Sequence, residues 1–139
     1  MEFECKLRAR SCLIIIGTEG KSERTYAWSD LKPRLESWIR VKCEERGLKP
    51  DDSAIEDPEC YVGLRLSYAV LFSRYLLGRK KWEASDYFDY LHSSDMAYAG
   101  VVVTESNLQE TIVQSSKRPE INGPHCVNRL SWLKELGDC

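Results

Sequence analysis

Two acids, Asp86 and Asp89, stand three residues apart, and a third, Glu105, follows the apolar run 101–103 through Thr104. Residues at i and i+3 share one face of a helix, so Asp86 and Asp89 are expected to point the same way. Glu105 falls at the carboxyl end of an expected strand, where open α/β sheets place their sites. Three carboxylates meeting there would offer the hard oxygen donors that Mg²⁺ and Mn²⁺ prefer. An ion so held can turn water into hydroxide and stabilise charge on a phosphodiester. The competing reading is structural: an acid at the start of a helix accepts backbone N–H groups and complements the helix dipole. Capping gives no reason for an acid at Glu105. The metal reading requires oxygens from two neighbouring elements to meet, and an arginine or lysine filling the gap between them would exclude it.

Other candidates are weaker. Arg79, Lys80 and Lys81, with Arg74 one turn earlier, form a basic run that suits a phosphate backbone. A solvated charge run is the commoner explanation of such a stretch. His92 reads as a polar surface or half-buried residue rather than a general base. Tyr61, Tyr68 and Tyr75 lie at helical spacing and read as core rather than as base-stacking platforms. Residues 13–22 imitate a strand leading into Gly-Lys-Ser, but a P-loop needs its first glycine at position 15, which is Ile15. Nucleotide hydrolysis is therefore set aside, a looser anion-binding nest at Gly17–Lys21 stays open, and a nucleotide- or phosphate-binding protein using the Gly17–Ser22 turn is the third function class.

The elements that must position these groups follow from hydrophobic period. Residues 12–16 are a β-branched run ending at Gly17, read as a buried strand and turn. Leu31, Leu35, Trp38, Ile39 and Cys43 fall on one face of a helix over 30–45, with Pro33 in its first turn and Gly47 beyond its end. Residues 49–58 read as an exposed loop. A helix over 59–77 presents Tyr61, Leu64, Tyr68, Leu71, Phe72 and Tyr75 on one face and stops at Gly78. A third helix covers 85–94, with Tyr87, Tyr90 and Leu91 for packing. Residues 99–103 read as a second buried strand. Ser106 and Gln109 have the spacing of a capping box opening a helix to 116. Residues 119–124 are a loop, 125–127 a short edge strand, and 130–136 a closing helix. Strands alternating with helices imply α/β architecture, a mostly parallel sheet flanked by helices.

Composition narrows the classes. A chain of 139 residues with 42% hydrophobic content suits a single domain and buries a core without staples. A net charge of -2 is not that of a strongly basic nucleic-acid binder, so any RNA contact must rest on a local patch. The six cysteines form no C-x-x-C pair and read as reduced core and surface thiols. No run is long enough for a signal core or a membrane span, so a cytoplasmic protein is expected.

Residues 58–136 resemble the C-terminal half of PIN-like nucleases. The resemblance rests on Ser85-Asp86, Asp89 and His92 in one helix, the strand 101–103, Thr104-Glu105, and Asn107-Leu108 opening the next helix. Tyr98 stands near the family's Tyr-x-Asp, but Gly100 replaces the acid. The resemblance implies a PIN-like (Rossmannoid) fold and a metal-dependent endoribonuclease. In that reading Asp86, Asp89 and Glu105 hold Mg²⁺ or Mn²⁺, and a metal-activated water attacks RNA. The family also places an Asp at the end of its first strand and a Glu on an early helix. Here the first strand ends in Gly17, with Glu19 beyond, and no motif marks Asp30 or Glu36. The resemblance thus implies one PIN-like domain, or the C-terminal portion of one, short of the family's early acids. The alternative is a catalytically degenerate PIN-like interaction module, with a protein partner or a second copy.

Overall fold

Helix α1, Leu31–Glu44, buries Leu31, Leu35, Trp38, Ile39 and Cys43, the five positions that the 3.6-residue period selects. It belongs to a computed structural model whose described residues are 26–78, 81 and 83–137. The expected strand at 12–16, the Gly17–Ser22 turn, Arg79 and Lys80 lie outside those residues. Gly47, at φ +70°, supplies the left-handed turn after the helix.

The expected loop at 49–58 contains a short helix, α2, Asp52–Glu56. The Asp51 carboxylate caps it by accepting from the Ser53 amide at 3.2 Å, and Ile55 anchors it in the core. The next helix begins later than expected. Tyr61 adopts a left-handed backbone at φ 57°, and α3 runs Val62–Leu71 from there. This helix is the centre of the molecule. Beyond Tyr68 and Leu71 it also buries Arg65, Leu66, Ser67, Ala69 and Val70, so little of its surface meets solvent. Its continuation, Phe72–Leu77, is π-helical, closed by the Gly78 amide donating to Ser73 O at 2.9 Å.

Helix α4, Ala84–Met96, packs along α3. Tyr87 and Tyr90 are buried as expected, whereas Leu91 is exposed on the outer face. Trp38 joins the three helices, its ring centroid 5.3 Å from Tyr68 and 6.0 Å from Tyr90.

The chain then forms strand β1, Val101–Thr104, helix α5, Ser106–Ser115, strand β2, Cys126–Arg129, and helix α6, Ser131–Gly137. The strands pair in parallel, Val101 opposite Cys126 and Thr104 opposite Arg129. A parallel pair needs a crossover, and α5 supplies it. The expected α/β character holds, with two parallel strands among the described residues. β1 is covered on one face only: Val102 and Thr104 are buried while Val101 is exposed. The expected capping box at Ser106 does not form. Glu105 takes the N-cap position, Ser106 is the first helical residue, and no side chain caps the helix. Among the described residues Cys43, Cys60 and Cys126 are free thiols, with Cys43 buried. No helix among the described residues is long and apolar enough to cross a membrane.

Candidate functional site: a carboxylate cleft bridged by an arginine

The N-terminal turn of α4, the start of α5 and the π-helical turn after α3 enclose an open cleft of about 620 Å³. Asp86 and Asp89 line it from α4, and Glu105 lines it from the end of β1. The three acids singled out by sequence therefore face one space. Two further acids, Glu83 and Glu110, line it as well, and among the described residues Arg74 is the one basic residue in its walls. Both extra acids were legible in principle. Glu83 lies three residues before Asp86, and Glu110 lies four or five residues, about one helical turn, after Glu105 and Ser106.

Asp86 is almost wholly buried, and its two oxygens have different tasks. Oδ2 accepts the Glu83 amide at 2.9 Å, which is the helix-capping role. Oδ1 accepts from Arg74 Nη1 at 3.2 Å, and the same nitrogen donates to Asp89 Oδ2 at 2.5 Å. The Arg74 side chain is only 10% exposed, Asp86 3% and Asp89 25%, so these are largely desolvated, charge-assisted contacts. The Tyr75 hydroxyl lies against the same carboxylate. Burial first, then the hydrogen bond and charge of Asp86, push its phenol well above the ordinary tyrosine range.

Sequence groups Arg74 with the basic run, as a solvated charge or, less commonly, a phosphate contact, and its placement corrects both readings. Its guanidinium is turned inward onto two carboxylates. Of the basic run, Lys81 is exposed and does not line the cleft, while Arg79 and Lys80 lie outside the described residues. His92 is exposed and also stands apart from the cleft. Neither Asp30 nor Glu36 reaches it, so among the described residues the first half contributes no further acid. Asp30 instead accepts the Ala27 amide at 2.9 Å.

The donor set, as placed, does not fit a divalent ion. Among the described residues no group of three His, Cys, Asp or Glu is arranged to hold one. The Asp86 and Asp89 oxygens that would have to converge are already bridged by a guanidinium. What the described residues offer is a concave, acidic surface of five carboxylates with one internal counter-ion. No family model, curated protein or solved structure matches this chain.

Proposed function

We propose that the chain is a PIN-like domain acting as a non-catalytic interaction module in the cytoplasm. The supporting observation is the single Arg74 nitrogen hydrogen-bonded to both Asp86 and Asp89, the two acids on which the PIN-like pattern depends. The remaining acids leave the cleft strongly negative, and like charges repel a phosphate backbone at short range. A partner entering the cleft is therefore a protein segment bearing arginine or lysine rather than RNA.

A second reading is favoured by a separate observation. Glu105, from a different element, shares the cleft with Asp86 and Asp89, as a Mg²⁺- or Mn²⁺-dependent endoribonuclease would need. One experiment separates the two. The full chain is incubated with single-stranded RNA and Mn²⁺ or Mg²⁺, beside Asp89→Asn and Glu105→Gln. The module reading expects no cleavage above the protein-free control in any sample. Cleavage by the unaltered chain that both substitutions abolish would establish the nuclease and overturn the module. Cleavage that survives both would locate activity away from this cleft.

A further inference from the structure

We infer that Arg74 is the built-in cation of this cleft, a guanidinium standing where the PIN-like resemblance implies a divalent ion. The inference rests on the module reading and deepens it, since it states what replaced the metal and how the replacement is held.

Three observations carry it. Asp86 and Asp89 lie on one face of α4, the first almost wholly buried and the second a quarter exposed. Two carboxylates so placed repel unless a cation lies between them or one takes up a proton. The cation present is Arg74 Nη1, bonded to both at once. It arrives by a specific local device. Phe72–Leu77 is π-helical rather than α-helical, and π turns inside longer helices are frequent at functional sites. That turn carries Arg74 and Tyr75 side by side, both directed at the start of α4. Its closure is tight: a Cβ on Gly78 would come within 2.7 Å of the Arg74 carbonyl oxygen. The residue after the turn must therefore be glycine for the backbone of Arg74 to keep this place.

The test measures ion binding and stability, not RNA cleavage. Mn²⁺ is titrated into the full chain and into Arg74→Met, followed by the electron paramagnetic resonance of free Mn²⁺ and by the melting temperature. The unaltered chain is expected to bind no Mn²⁺ at millimolar concentration, with a melting temperature indifferent to the ion. Arg74→Met is expected to melt several degrees lower, to bind one Mn²⁺, and to regain at least half of the loss when the ion is added. Adding Asp89→Asn to Arg74→Met should abolish that recovery. Mn²⁺ binding by the unaltered chain, or an Arg74→Met protein that gains no Mn²⁺ binding, would overturn the inference. Should Arg74→Met fail to fold, Arg74→Gln removes the charge while keeping a polar side chain in the gap. It is expected to bind one Mn²⁺ where the unaltered chain binds none, and an Arg74→Gln protein without Mn²⁺ binding would count equally against the inference. Mn²⁺-dependent RNA cleavage at this cleft would overturn both claims, whereas an Arg74→Met protein that gains no Mn²⁺ binding would overturn this inference and leave the module reading standing.

Discussion

Asp86 is both cap and counter-ion, and neither role excludes the other because each uses a different oxygen. Its position three residues before Asp89 made both readings visible in sequence. Arg74, twelve residues upstream across a turn, could not be paired with it from spacing, because helical period reports faces within an element and not contacts between elements. The same limit applies to Tyr68, whose place on a helix face was plain but whose degree of enclosure was not. Burial first raises its phenol to about 12, with Arg34 acting in the opposite sense. An unfolded tyrosine ionises near pH 10. Between about pH 10 and 12 the unfolded chain releases this proton while the folded chain keeps it. The unfolded state then binds fewer protons, so stability falls as pH rises, and the contribution is complete only below about pH 10. Urea unfolding at pH 8, 9.5 and 11 should show a steeper alkaline loss for the unaltered chain than for Tyr68→Phe. Parallel slopes would refute the assignment.

Helix α1 could be read from sequence to its individual buried residues because it has one dry face. α3 could not, because a helix buried on nearly all sides has no stripe for periodicity to find, and its polar Arg65 and Ser67 are enclosed too. The π-helical end and the short α2 were hidden for another reason: each depends on backbone hydrogen bonding that residue type signals weakly. Gly63 shows how packing between elements reverses local preference. In an isolated helix, alanine is favoured over glycine by about 1 kcal/mol. Here a Cβ would stand 2.8 Å from both the carbonyl oxygen and the hydroxyl of Ser94, and 3.1 Å from the Tyr98 ring. One obstacle is backbone of α4 and cannot rotate away, so α3 and α4 must separate. Overpacking of this kind costs about 1–3 kcal/mol, which exceeds the gain in propensity. Gly63→Ala should therefore lower the urea midpoint, and a higher midpoint would show that the two helices part without strain.

On the scale of the whole molecule, the parallel strand pair and its helical crossover were legible from the alternation of strand and helix signals, and so was the gathering of three acids at the end of β1. What ties the ends of this arrangement together was not. Arg65, on the central helix, is 2% exposed and donates to three backbone carbonyls: Cys60 O at 2.7 Å, Glu120 O at 3.3 Å, and Ile55 O. It thereby joins α2, the approach to α3 and the loop after α5, segments that lie 10 and 55 residues away along the chain. Asn122 reinforces the same junction through Pro58 O at 3.3 Å and Glu59 Oε1 at 2.8 Å. The charge is therefore solvated by peptide dipoles instead of a carboxylate, a pattern with no signature in residue spacing. Arg65→Met would leave three carbonyls without this donor, and a buried acceptor stripped of its partner costs about 1–3 kcal/mol. A loss of about 3–5 kcal/mol in urea unfolding is expected, since the carbonyls relax together. Arg65→Lys should fall only part of the way back, because an ammonium cannot reproduce the planar fork. The exposed pair Arg40–Asp52, 2.8 Å apart, provides the control, and Arg40→Met should change stability by less than about 1 kcal/mol. If Arg65→Met proved no worse than Arg40→Met, the three segments would have to be held by apolar packing alone, and the loop after α5 would owe its position to Ile121 in the core rather than to the guanidinium.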